Sequence, residues 1–196
     1  MDIPFQAQHC ILGTVQRRLE RCGFDFAHRW LPKECDSIHW KHPESMELQK
    51  IFQFLDKHWA ALRSNGFHCD STALFTWRSS VTDIRHAAVH RICQDSASLG
   101  QKLGAAVVFA QCLGDEECEQ EIRYFRSILD FLLARLDNHL RQLKCKIRTQ
   151  FRLCRNSPQK WKARRNLLPE AIKRVVEQNE HDFSLRVEDY LRRVLS

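Results

Sequence analysis

The sequence has little turn and strand vocabulary. It carries six glycines and five prolines in 196 residues, and it shows no sustained alternation of apolar and polar positions and no hairpin signal. A sheet protein needs both, so β-sandwiches and barrels are excluded and an all-α antiparallel helical bundle is expected. Long apolar runs are missing too. None reaches the roughly 18 residues of a membrane span. The start, "MDIPFQAQHCILG", has neither a basic leader nor a long apolar stretch, so a secretory signal is not expected. The nine cysteines are scattered singly, without a Cys-x-x-Cys pair. Together these absences predict reduced thiols and an intracellular, cytoplasmic or nuclear protein that is not secreted. A Gly-rich phosphate loop and a GxSxG elbow are also lacking.

What is present is amphipathic helix. Hydrophobic residues make up 43% and charged residues 28%, ordinary values for a folded domain. A first helix is expected over about 8–22, stopped by Gly23, with 24–42 as an irregular connection. A second begins near Pro43, with Glu44 and Glu47 complementing the positive end of its dipole and Gly66 closing it. Met46, Ile51, Phe54, Leu55, Trp59 and Leu62 supply its buried stripe. A third is expected over 71–94 without interruption. A fourth, "SASLGQKLGAAVVFAQCL", is capped by Asp95 or Ser96 and ended by Gly114. The fifth is the longest, with Ile122, Phe125, Leu129, Leu132, Leu136, Leu140 and Leu143 stepping by three and four. The reading divides the chain into an N-terminal helix and connection at 1–42, a bundle core at 43–145 and a basic helical extension at 146–196.

The third helix carries "RHAAVH", residues 85–90. On a helical wheel of about 100° per residue, Val81, Ile84, Ala88 and Ile92 group on one side. His86 and His90 fall roughly opposite, four residues apart and therefore neighbours. Arg85 lies between the two faces, with a side chain long enough to swing toward the imidazoles. Histidine titrates near neutrality and exchanges protons there, while a guanidinium grips phosphate oxygens and stabilises charge growing on phosphorus. Where the nucleophile is the substrate's own ribose 2′-hydroxyl, no metal or other cofactor is required, and the chemistry acts on RNA but not DNA. Asp83, Glu44 and Glu47 are candidate supporting residues, the glutamates because a carboxylate from a neighbouring helix can orient an imidazole.

Two other readings of the pair stay open. They can be ordinary surface residues, or two zinc ligands one turn apart. The metalloprotease pattern needs glutamate after the first histidine, where Ala87 stands, and no third ligand is evident. The chain has a second Arg-x4-His pair, Arg63 to His68, but Gly66 breaks it out of any helix.

The hexapeptide resembles the Arg-polar-x3-His signature of the HEPN superfamily, compact α-helical bundles that include many metal-independent ribonucleases. The resemblance implies catalytic places for Arg85 and His90, the polar second place for His86, and a homodimer in which two motifs form one composite site. The chain is also similar, over about 43–143, to uncharacterised fungal proteins that pair "ESMEL" with "RHxAVHR", here 44–48 and 85–91.

Charge is unevenly spread. Residues 141–174 hold twelve bases, among them Arg141, Lys144, Arg148, Arg152, Arg155, Lys160, Lys162, Arg164 and Arg165, against one acid, Glu170. The segment is +11 where the whole chain is +7, so the rest is about −4. Such a field attracts polyanions, and Phe151 and Trp161 can stack on bases, so RNA is the expected partner. A solvated helix face and an acidic protein partner are the alternatives. No lipidation motif points to a membrane. Cys22, His28, Cys35, His39 and His42 lie close in sequence, but their spacing matches no zinc module, and no bound metal is expected. The functional expectation is a HEPN-type endoribonuclease, the alternative a non-catalytic RNA-binding or adaptor bundle.

Overall fold

The computed structural model describes residues 5–38 and 40–154, and beyond these residues 170, 173, 174, 177, 178, 181, 182, 185 and 189. The chain is an all-α helical bundle, with no strand among the described residues. It divides into two compact units, 1–127 and 128–196. None of the described helices is long and apolar enough to cross a membrane.

The first unit is built around α1, Phe5–Trp30. This helix runs well past its expected end at 22, and residues set aside as irregular connection are helical: the rest of α1, then α2, Pro32–Ser37. Gly23 is not a stop. It sits inside α1 where a Cβ would overlap the side chain of Ile51, so the missing methyl lets α1 close onto the next long helix. The apolar period continues through Phe26, Ala27 and Leu31, all buried, and Pro32 marks the break. A 3₁₀ turn at Pro43–Ser45 precedes α3, Leu48–Ser64, which therefore starts later than Pro43 suggests. Met46, Ile51, Phe54, Leu55 and Leu62 are buried as expected, and Trp59 is half-buried.

The expected third helix is two helices. Trp77 separates α4, Ser71–Thr76, from α5, Arg78–Val89. Then come α6, Ser96–Leu113, and α7, Glu116–Cys154. The ends of α6 follow the sequence closely. Asp95 accepts a hydrogen bond from the Ser98 amide at 2.7 Å, and Gly114 adopts the left-handed conformation (φ 73°) at the C-cap.

Helix α1 packs against α3, α5 and α6, so the N-terminal helix belongs to the same core as the rest of this unit. Ile11, Leu12, Val15 and Leu19 from α1 are fully buried, with Phe52 and Leu55 from α3, Val81 and Ile84 from α5, and Leu99, Leu103 and Phe109 from α6. Phe26, Trp30, Trp59 and Phe67 form an aromatic cluster, with Phe26 edge-on to Phe67 at 4.8 Å between centroids. Burial of large apolar side chains is the main stabilising term, about 1.5–3 kcal/mol for each one fully enclosed.

In the second unit the described side chains of α7 are mostly exposed. Phe131, Arg141, Lys144, Lys146 and Arg148 face solvent, and Arg141 pairs with Asp137 one turn back at 2.5 Å. Of the expected RNA-binding residues, Arg155, Lys160, Lys162, Arg164 and Arg165 lie outside the described residues, as do the side chains of Arg152 and of Leu132, Leu136, Leu140 and Leu143.

Candidate functional site

Helix α5 presents the "RHAAVH" residues at its C-terminal end. Its inner face is Val81, Ile84, Ala87 and Ala88, all buried. Ile92, expected on the core stripe, lies beyond the helix end and is exposed. His86 and His90 are both exposed, with ring centroids 4.7 Å apart and planes inclined at 58°. Neither ring makes a hydrogen bond within the described residues. His90 is not inside the helix but is its C-cap, and its backbone N–H donates to His86 O at 3.0 Å.

The helix ends in an unusual way. Arg91 has φ 52°, and it is the one non-glycine residue with positive φ among those described. Ile92 N–H then donates back to Ala87 O at 3.0 Å, the bond of a Schellman cap. Glycine normally fills that left-handed place; here an exposed arginine does, directly after His90. The segment after it is pinned from α1: Gln8, itself buried, accepts the Gln94 N–H on Oε1 at 2.7 Å. Long-range anchoring of this kind keeps Arg91 in a conformation its Cβ disfavours.

Arg85 takes a different direction from the one the wheel suggests. It swings away from the imidazoles to the start of α3, where Nη2 lies 3.2 Å from Glu47 Oε2. Both side chains are about 30% exposed. Glu47 has extended backbone at the N-cap of α3, makes no capping hydrogen bond with its side chain, and pairs with Lys50 at 3.2 Å as well as with Arg85. The carboxylate thus orients the arginine rather than a histidine. Behind this pair sits Glu20 of α1, buried. Burial raises its carboxyl above the ordinary value of 4.5. The hydrogen bond from Gln16, the field of Arg85 and the Leu48 N–H work in the opposite sense, while Glu47 adds to the rise. Glu20 was not singled out from the sequence, because nothing local marks a glutamate that folding encloses, and the partner of Arg85 could not be read there either.

Asp83 is exposed on α5 and makes no ion pair among the described residues, and the side chain of Glu44 lies outside them. The second Arg-x4-His pair joins the last turn of α3 to the loop after it, with Arg63 Nη1 3.2 Å from His68 Nδ1.

The sequence cluster around Cys35 forms no ligand group among the described residues. His28 Nε2 bonds the Trp40 carbonyl at 2.9 Å, Cys35 is enclosed with its thiol pushed up to about 11 by burial, and His39 lies outside the described residues. Cys22 instead meets Asp115 and Cys118, with the two sulfurs and a carboxylate oxygen within 4.8 Å of one another. The eight cysteines whose side chains are described are free thiols.

No family model, no curated protein and no solved structure matches the chain.

Proposed function

We propose that this protein is a HEPN-type, metal-independent endoribonuclease that works as a homodimer with a composite site. The observation that carries the reading is the pair of exposed imidazoles 4.7 Å apart at the end of α5, the helix that also carries Arg85. One imidazole in the neutral form takes the proton from the ribose 2′-hydroxyl. The freed oxygen attacks phosphorus, the bond to the 5′-oxygen breaks, and a protonated imidazole supplies that oxygen's proton. The products are a 2′,3′-cyclic phosphate and a 5′-hydroxyl, and no external nucleophile enters. His90 is assigned the principal acid–base role, contributing about 10²–10⁴-fold. His86 assists.

Arg85 is assigned to the scissile phosphate. Its pair with Glu47 engages Nη2 and leaves the other guanidinium donors for phosphate oxygens. Exposed Arg91 adds positive charge beside His90, and the basic 141–174 segment supplies phosphate contacts without base preference.

The second reading is a non-catalytic RNA-binding or adaptor bundle. The Arg85–Glu47 pair favours it, because a guanidinium already held by a carboxylate is also what a structural strut between α5 and α3 looks like. The two readings separate on a short RNA and its twin with a single 2′-deoxy sugar at the cleaved position. The nuclease reading expects cleavage of the first, none of the second, and equal binding of both. Binding of both with cleavage of neither supports the adaptor.

A further inference from the structure

Between α1 and the α6–α7 turn lies a cavity of about 520 Å³ that the nuclease reading leaves unused. Its wall holds Cys22, Asp115 and Cys118, with Arg18, Arg21 and Arg29 around them. We propose that Cys22, Asp115 and Cys118 bind a zinc ion. The inference is independent of the ribonuclease reading, with which it shares no residue.

The fold brings these three together by specific means. Cys22 precedes Gly23, the position where α1 closes onto Ile51, and its side chain is 1% exposed. Gly114 reverses the chain in left-handed conformation after α6. That turn sets Asp115 before the first turn of α7, where its Oδ1 accepts the Cys118 N–H at 2.9 Å. The bond fixes the carboxylate beside Cys118, a residue only 3% exposed. Asp115-x2-Cys118 thus places two donors on one helical turn and Cys22 supplies the third from α1.

The donor set selects the metal class. Two soft thiolates beside one hard carboxylate oxygen suit borderline zinc rather than magnesium or calcium, which take oxygen donors. Two sulfurs and one oxygen around a tetrahedral zinc stand roughly 3.6–3.8 Å apart, given Zn–S near 2.3 Å and Zn–O near 2.1 Å. The observed separations, within 4.8 Å, close to that by side-chain rotation of about 1 Å. Binding displaces the two thiol protons to solvent. Two thiolates and a carboxylate with Zn²⁺ then carry one net negative charge. The guanidinium groups answer it: Arg18 is already engaged by Glu117 and Glu121, whereas Arg29 has no ion pair among the described residues. Three protein ligands leave a fourth position, which the cavity supplies with water.

The test uses the full chain, reduced and metal-free, titrated with Co²⁺ as a spectroscopic stand-in and then with Zn²⁺. The expected result is one equivalent bound, with a thiolate-to-cobalt charge-transfer band that zinc abolishes. Alkylation of the wild-type protein, followed over hours so that the buried thiols are sampled through local opening and mapped by mass spectrometry, should show zinc slowing modification of Cys22 and Cys118 and leaving Cys69 and Cys112 unchanged. Cys22→Ser and Cys118→Ser should each lower cobalt affinity by more than about 100-fold, beyond the cost of losing an outer-shell partner. The mapping on wild type holds even where a variant fails to fold. No charge-transfer band, or protection falling on cysteines other than Cys22 and Cys118, overturns the proposal.

Discussion

Arg85 Nη2 stands 3.2 Å from Glu47 Oε2, joining the motif-bearing helix α5 to the first residues of α3. The same glutamate reaches Lys50, and the buried carboxyl of Glu20 feels both Arg85 and Glu47. The arginine of the motif is therefore preorganised from outside its own helix. A fixed guanidinium loses less rotamer freedom when it meets a phosphate, the use that the proposed nuclease would make of it.

The pair carries a measurable coupling. Glu47→Gln and Arg85→Lys are each expected to lower stability by about 0.5–1 kcal/mol, the range for partly exposed ion pairs. The double variant should lose less than the sum of the two, as read from a double-mutant cycle in urea. Strict additivity would show that the two side chains are not energetically linked.

Glu20 gives the fold a pH signature. Burial makes the folded protein hold this proton more tightly than the unfolded chain does, because the carboxyl sits above its ordinary value of 4.5. Its contribution is therefore fully present below 4.5 and is lost as pH rises from there through the folded value, then stays level. Glu20→Gln should flatten the stability profile over that window. Parallel wild-type and variant profiles would contradict the assignment.

Gly23 tests the packing of α1 on α3. Alanine gains about 1 kcal/mol of helix propensity, but its Cβ meets Ile51 Cδ1 and lies 3.0 Å from Cγ1 and 3.3 Å from Cγ2. Overpacking of this kind costs about 1–3 kcal/mol, so Gly23→Ala should be destabilising in thermal or urea unfolding. In an Ile51→Val background, which lacks the δ-methyl, the same change should be neutral or stabilising. An equal loss in both backgrounds would rule out the steric explanation.

Arg91 tests whether the helix end stores strain beside His90. An L-residue at positive φ costs roughly 1–2 kcal/mol that glycine does not pay. Arg91→Gly should raise stability by about 1 kcal/mol while weakening RNA binding through the lost cation. Higher stability with unchanged RNA affinity would remove Arg91 from the site and leave it a role in chain geometry alone.

The parts of this structure that local chemistry decides could be read from the sequence. Asp95 and Gly114 bracket α6, and the wheel put Val81, Ile84 and Ala88 inside with His86 and His90 outside. The parts that other elements decide could not. Gly23 looks like a stop until Ile51 is seen against it. The end of α5 at Val89 depends on Arg91 in a left-handed conformation and on Gln8 reaching across from α1 to Gln94. Arg85 has two faces to choose from, and only the position of Glu47 decides between them. The Cys22–Asp115–Cys118 group joins residues far apart in sequence, with no spacing rule to announce it.

The most direct test of the central claim compares wild type with His90→Ala on labelled RNA, following cleavage on a gel and affinity in the same buffer without added Mg²⁺. The account predicts that the variant loses cleavage, with 2′,3′-cyclic phosphate ends disappearing, while RNA affinity stays within about twofold, since the proposed phosphate contacts belong to the basic 141–174 segment. Undiminished cleavage by His90→Ala, or wild-type protein that cuts only when Mg²⁺ is supplied, contradicts it.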